Sequence, residues 1–223
     1  MGIIARNGDF SSPNLILCEG SGDVAFLDAL LTSRGVSGFD IGCPNKSEHG
    51  AEGLSGIRNY LDALLAKPNA NSVRTFVIMV DSDLNPQKRF ERTRKLIESF
   101  KLEPPHASWE KSNGSPATAV ITVPGRNLTG ELEHLLMRAL RANNNELNAC
   151  IEQFMHCVKR PLSWSDNKLE KARVACAIAG TCEDDPASSL SWVWSRRSQP
   201  FLLSSPVFDE IADFLRTLVT KDG

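Results

Sequence analysis

Acidic side chains follow three of the chain's short apolar runs. Leu15-Ile16-Leu17-Cys18 leads into Glu19-Gly20-Ser21-Gly22-Asp23, and Phe76-Val77-Ile78-Met79-Val80 stops on Asp81-Ser82-Asp83. A third run, ATAVITV at 117–123, is followed after a turn by Glu131 and Glu133. A carboxylate at the exit of a buried strand must hand its charge to water, a donor or a cation. Carboxylates that converge also repel one another, which raises their pKa values or demands a cation. Hard oxygen donors with no nitrogen or sulfur partner suit Mg2+ or Mn2+. An ion held this way binds phosphate, lowers the pKa of a bound water and offsets charge in phosphoryl transfer. Any one of these acids alone reads more simply as a turn or cap residue. Their repetition, an EGxxD after one strand and a DxD two strands later, is what makes the pattern specific.

The surrounding elements decide whether the acids meet. A continuous apolar run of five residues, as at 76–80, fits a strand buried on both faces of a parallel sheet. Residues 14–18, 38–43 and 117–123 read as the other strands, giving about four in all. Helices are expected from Asp23 to Leu31, where Asp23 lies at or near the N-cap and the opening amides favour an anion. Further helices follow at 57–65, with an i, i+3, i+4, i+7, i+8 stripe, at 87–100, and from 131, with Thr129 as a possible cap. Alternating strands and helices predict a mostly parallel α/β sheet. If the first strand lies beside the third and the second lies outside it, Glu19 and Asp81 share the switch point where open sheets bind ligands. Residues 102–116, rich in Pro, Ser and Gly, read as a surface loop, and 1–13 as a polar, weakly ordered arm. After about residue 143 the pattern turns helical, at 145–159, 166–179 and 206–218. We therefore expect an α/β domain over 1–142, with its core at 14–142, and a helical extension over 143–223 packed on it.

Composition sets outer limits. The chain has 223 residues, 41% apolar and 23% charged, enough for a sizeable core, and its formal net charge is -2. No global field draws nucleic acid, so such binding needs a local patch. Lys88-Arg89-Arg92-Arg94-Lys95 and Arg196-Arg197 are the clusters available, and each also reads as a solvated helix face or loop. Six cysteines include no CxxC pair, and no histidine pair has zinc spacing, which favours free thiols in a reducing cytoplasm. No signal peptide or membrane-spanning run is visible, so a cytoplasmic location and no membrane partner are expected. Gly50-x-x-Gly53-x-x-Gly56 reads as a flexible loop before a phosphate cradle. His49, His106, His134 and His156 are scattered, with only His134 beside the acids. Trp192 and Trp194 share one face of an extended segment, where they either pin the loop to the core or, with Arg196 and Arg197, stack on bases.

Cys18-Glu19-Gly20-Ser21-Gly22-Asp23 with Val80-Asp81-Ser82-Asp83 resembles the TOPRIM domain of topoisomerases, bacterial primases and OLD-family nucleases. The spacing and Gly130-Glu131-Leu132-Glu133 are most similar to the OLD-like branch, over roughly 15–140. The resemblance implies a Rossmann-like TOPRIM fold in which Glu19, Asp81 and Asp83 are metal ligands, with Asp23 and Glu133 as further ligands or their supports. It also implies a late basic residue, for which Lys171 is the candidate and Lys168 the alternative. The only tyrosine, Tyr60, sits in an apolar stripe, and no GxxxxGK[ST] occurs, which argues against a topoisomerase and against a complete ATPase-bearing OLD protein. The function expected is Mg2+- or Mn2+-dependent hydrolysis of phosphodiesters in DNA or RNA. The alternative is a non-catalytic module that binds metal or nucleic acid and works with a protein partner or as a homo-oligomer. A phosphohydrolase of small nucleotides is a third possibility.

Overall fold

Residues 76–80 are apolar at every position because their strand is covered on both sides. The structure, a computed structural model, describes residues 2–4, 8–45, 53–158, 163–196 and 198–219. Its sheet consists of β1 (Gly2–Ile3), β2 (Asn14–Leu17), β3 (Asp40–Gly42), β4 (Thr75–Asp81) and β5 (Ala117–Val123). All neighbouring pairs are parallel, in the order β1-β3-β2-β4-β5. The helices are α1 (Ser21–Ser33), α2 (Gly53–Leu65), α3 (Pro86–Ser99), α4 (Leu132–Asn143), α5 (Asn145–Cys157), α6 (Asp166–Thr181) and α7 (Asp209–Val219).

Alternation along the strands sorts the core into two layers. Ile16, Val77, Met79, Ile121 and Val123 join a cluster with α1, α4, α6 and α7. Leu15, Leu17 and Phe76 face α2, and Ile78, Val80 and Val120 pack with Phe90, Leu96 and Ile97 of α3 and Ile57 of α2. Ile151, Val174, Phe208, Ile211 and Leu215 belong to the first cluster, so the helical C-terminal region shares the core of the sheet. β2 lies beside β4 with β3 outside it, which is the expected switch-point order. Glu19 and Asp81 therefore leave the sheet at the same edge.

Several local expectations need correction. The sheet has five strands, because Gly2–Ile3 of the supposed arm pairs with β3. Farther along that arm, the Ser11 and Ser12 amides donate to Asp40 Oδ2 at 2.5 and 2.8 Å, which holds it to the edge. Gly53 and Gly56 lie in α2, where Gly56 is buried, and so are not part of an open loop. Gly50 and His49 lie outside the described residues, as do Lys159 and Arg197. The N-cap of α4 is Glu131 and Thr129 stands exposed before it. The loop 102–116 is not all surface: Trp109 is buried, donates through Nε1 to Thr122 and meets Phe214 edge-on at 5.7 Å. Trp192 and Trp194 do not share a face, because a 3-10 turn (Val193–Ser195) rotates one away from the other.

Candidate functional site

Glu19 is the first residue that the fold commits. Its Oε2 accepts from the Asp81 amide at 3.0 Å, which ties the end of β2 to the end of β4. Its Oε1 is held by the guanidinium of Arg89, and both side chains are largely shielded. Arg89 reaches it because Asn85 caps α3, its Oδ1 accepting from Lys88 N at 2.8 Å, with Pro86 opening the helix. That geometry aims the first turn of α3 back at the strand ends. The same guanidinium lies 3.6 Å from Asp83 Oδ2.

Asp83 adopts φ 51 and pairs with Gly130, its N–H donating to Gly130 O at 2.9 Å and its carbonyl oxygen accepting from Gly130 N at 2.7 Å. This clasp joins the loop after β4 to the loop before α4 and brings the α4 N-terminus to Asp81. The Leu132 amide donates to Asp81 Oδ1 at 3.0 Å. Glu131, the cap residue, turns toward α6, where its carboxylate meets Lys171 Nζ at 2.5 Å and the side-chain amide of Asn167. His134 Nδ1 accepts from the Glu131 amide at 3.1 Å, so this histidine serves the cap. Asp23, in the first turn of α1, accepts from the amide of Gly20, the actual N-cap, at 3.0 Å.

The electrostatics show that these acids form one group. Burial, with Glu19 and Glu133, raises Asp23 to about 7 against the opposing Gly20 hydrogen bond and Lys171. Burial, followed by Asp23, Glu19, Glu131 and Glu133, raises Asp81 to about 9. Glu133 is also raised, by burial and then by Glu131, with its own backbone amide and Lys171 opposing. Burial lowers the Lys171 pKa, but the Glu131 hydrogen bond with Glu133, Glu131 and Asp81 outweighs this and leaves it raised. The buried Cys18 thiol is pushed well up, by burial and then by Asp23, Cys43, Glu19 and Asp81.

The fold thus gathers Glu19, Asp23, Asp81, Glu133 and Lys171 at one edge. It leaves Asp83 half exposed and turned to Arg89, and Lys168 exposed on α6. Two participants lie beyond the expected set. Arg89 was expected as part of a basic cluster, either a nucleic-acid patch or a solvated helix face, and not as the partner of Glu19. Glu131, noticed beside Glu133, is the partner of Lys171. Gly53 is a third approach, since a Cβ there would lie 3.4 Å from Glu19 Oε1. A separate cavity of about 920 Å³ opens at the opposite, amino edge, lined by Asn14, Arg74, Lys111, Asn113 and others, with no carboxylate.

Among the described residues, Glu19, Asp23, Asp81, Asp83, Glu131 and Glu133 face two close cations, Arg89 and Lys171. In donor type and in its surplus of acid the group fits a hard divalent cation. Among the described residues, however, no three His, Cys, Asp or Glu side chains stand in an arrangement that would hold a metal ion. Their oxygens are turned to backbone amides, Arg89 and Lys171.

Among the described residues no helix is long and apolar enough to cross a membrane. No curated protein and no solved structure matches the chain. A family described as "Protein of unknown function (DUF3226)" matches residues 13–220, which is nearly the whole length, and the chain therefore belongs to the DUF3226 family.

Proposed function

We propose that this protein is a Mg2+- or Mn2+-dependent phosphodiesterase of nucleic acid, built on a TOPRIM-type domain of the OLD-like branch. The observation that carries the reading is the surplus of carboxyl groups at the carboxyl edge of β2 and β4, with Asp23 at about 7 and Asp81 at about 9. Groups poised in this way need protons or a cation, and perturbed carboxyl groups at a switch point mark functional sites. Glu19, Asp81 and Asp83 would hold the ion, with Asp23 and Glu133 completing the acidic wall. The ion supplies phosphate binding and a water of lowered pKa. Lys171, kept cationic by Glu131 and Glu133, stands ready to offset charge on a phosphate. Arg89 holds Glu19 and Asp83 in register until a ligand competes for them. Support for a nucleic-acid partner comes from α3. Exposed Lys88, Arg92 and Lys95 recur at i, i+4 and i+7 on one face beside Arg89, suited to a run of phosphates.

One observation favours the partner-dependent, non-catalytic reading: Glu19 and Glu131 are already paired internally, by Arg89 and Lys171. Calorimetric titration of Mg2+ and Mn2+ into wild type and Asp81→Asn, beside a plasmid-nicking assay, separates the readings. Binding lost in the variant together with metal-dependent nicking by the wild type is the expected result. Binding without nicking favours the partner-dependent module. No binding at all makes the acids structural and sinks the metal reading.

A further inference from the structure

We propose that Trp192 is a base-stacking platform beside the acidic site, so that the nucleic acid taken there is single-stranded. This rests on the nucleic-acid reading above and adds the form of the substrate. Trp192 is 64% exposed, yet the chain that carries it is held on both sides. Its amide donates to Ser189 O at 2.9 Å, and its carbonyl accepts from Ser195 N at 3.1 Å and Ser195 Oγ at 2.8 Å. Val193 is fully buried, and Trp194 packs on Phe26 and Phe201 with ring centroids 5.5 and 5.9 Å apart. Trp194 therefore acts as the pin and Trp192 as the ring that the pin presents. A large flat side chain on a fixed backbone gives up little conformational freedom when a ligand covers it.

The position of the ring supplies the rest of the argument. Ser191 Oγ lies 2.8 Å from Ser21 Oγ, and Leu190 lies where a Cβ on Gly22 would meet it at 3.3 Å. Ser21 and Gly22, the first two residues of α1, lie between Glu19 and Asp23 in the chain, so with about 3.8 Å between successive Cα atoms Trp192 stands on the order of 10 Å from the acids. Its chain neighbours Ser189 and Ser195 are exposed hydroxyl residues. On α6, Lys171 stands exposed against Glu131 and adds positive charge to the acidic site. Aromatic faces interleaved with cations are how proteins hold unpaired strands whatever their sequence. In a duplex both faces of each base are already stacked, so the ring has no free face to cover.

The test is fluorescence anisotropy of labelled single-stranded, duplex and abasic oligonucleotides of equal length against wild type, Trp192→Phe and Trp192→Ala. Trp192→Ala is expected to weaken single-strand binding by about 5- to 150-fold, with Trp192→Phe retaining most of it. All three proteins are expected to bind the abasic strand equally and to melt alike. Unchanged single-strand binding by Trp192→Ala overturns the platform while leaving the acidic site standing. Tighter duplex binding that ignores Trp192 overturns it as well. A wild type that binds no oligonucleotide overturns both the platform and the nucleic-acid reading.

Discussion

Asp81→Asn removes a charge from the site while keeping an acceptor for the Leu132 amide, which donates to Asp81 Oδ1 at 3.0 Å. It therefore isolates the electrostatic cost of the carboxyl group. Burial and the neighbouring acids raise this group from 3.8 to about 9. Between those two values the folded protein keeps a proton that the unfolded chain releases. The contribution to stability is therefore most favourable below pH 3.8 and falls as pH rises toward 9. At pH 7 the distance from 3.8 is 3.2 pH units, which at about 1.36 kcal/mol each costs about 4 kcal/mol. Without divalent metal, Asp81→Asn should exceed wild type at pH 7 by up to about 4 kcal/mol, with Tm rising roughly 2–4 °C per kcal/mol. The advantage should shrink toward zero near pH 4. Scanning calorimetry of both proteins in EDTA across pH 4–8 measures it. Added Mg2+ or Mn2+ should raise the wild-type Tm and leave the variant unmoved. A variant less stable than wild type at pH 7, or equally favoured at pH 4 and pH 7, refutes the account of Asp81 as an uncompensated buried acid.

Arg89→Ala leaves Glu19 shielded without its guanidinium and should cost about 3 kcal/mol in urea denaturation, which added Mn2+ should partly restore. Gly130→Ala must adopt φ +124 and place its Cβ 2.6 Å from the His134 ring. It should destabilise by at least about 2 kcal/mol by the same measurement and weaken the clasp with Asp83. Replacing Lys88, Arg92 and Lys95 together by Gln should leave Tm within about 1 °C, since surface changes cost little. The same triple variant should flatten the salt dependence of single-strand binding by up to about two in the log–log slope. An unchanged slope would remove α3 from the binding surface.

Much of the fold was legible because it depends on local periodicity. The unbroken run at 76–80 announced a strand covered on both faces, and the stripe through Ile57, Tyr60, Leu61 and Leu64 announced α2. Two-residue strands carry no such signal, so β1 read as part of an arm. Caps at the site misled in a different way. Thr129 is the better capping residue by type, but the clasp between Asp83 and Gly130 moves the start of α4 on to Glu131. The two tryptophans looked alike in an extended segment, and a single 3-10 turn gave them opposite environments.

By itself the sequence determined which residue types end each strand, and so the acidic character of the carboxyl edge. It also determined the parallel alternation that makes all those ends share one side, since hydrophobic period and turn chemistry are properties of neighbours along the chain. Only the tertiary structure decided which partner each acid meets. Arg89 on Glu19, Leu132 N–H on Asp81 and Lys171 on Glu131 join residues 70, 51 and 40 positions apart. Nothing in a local pattern encodes such pairs, because they follow from strand order and from where a capped helix points its first turn.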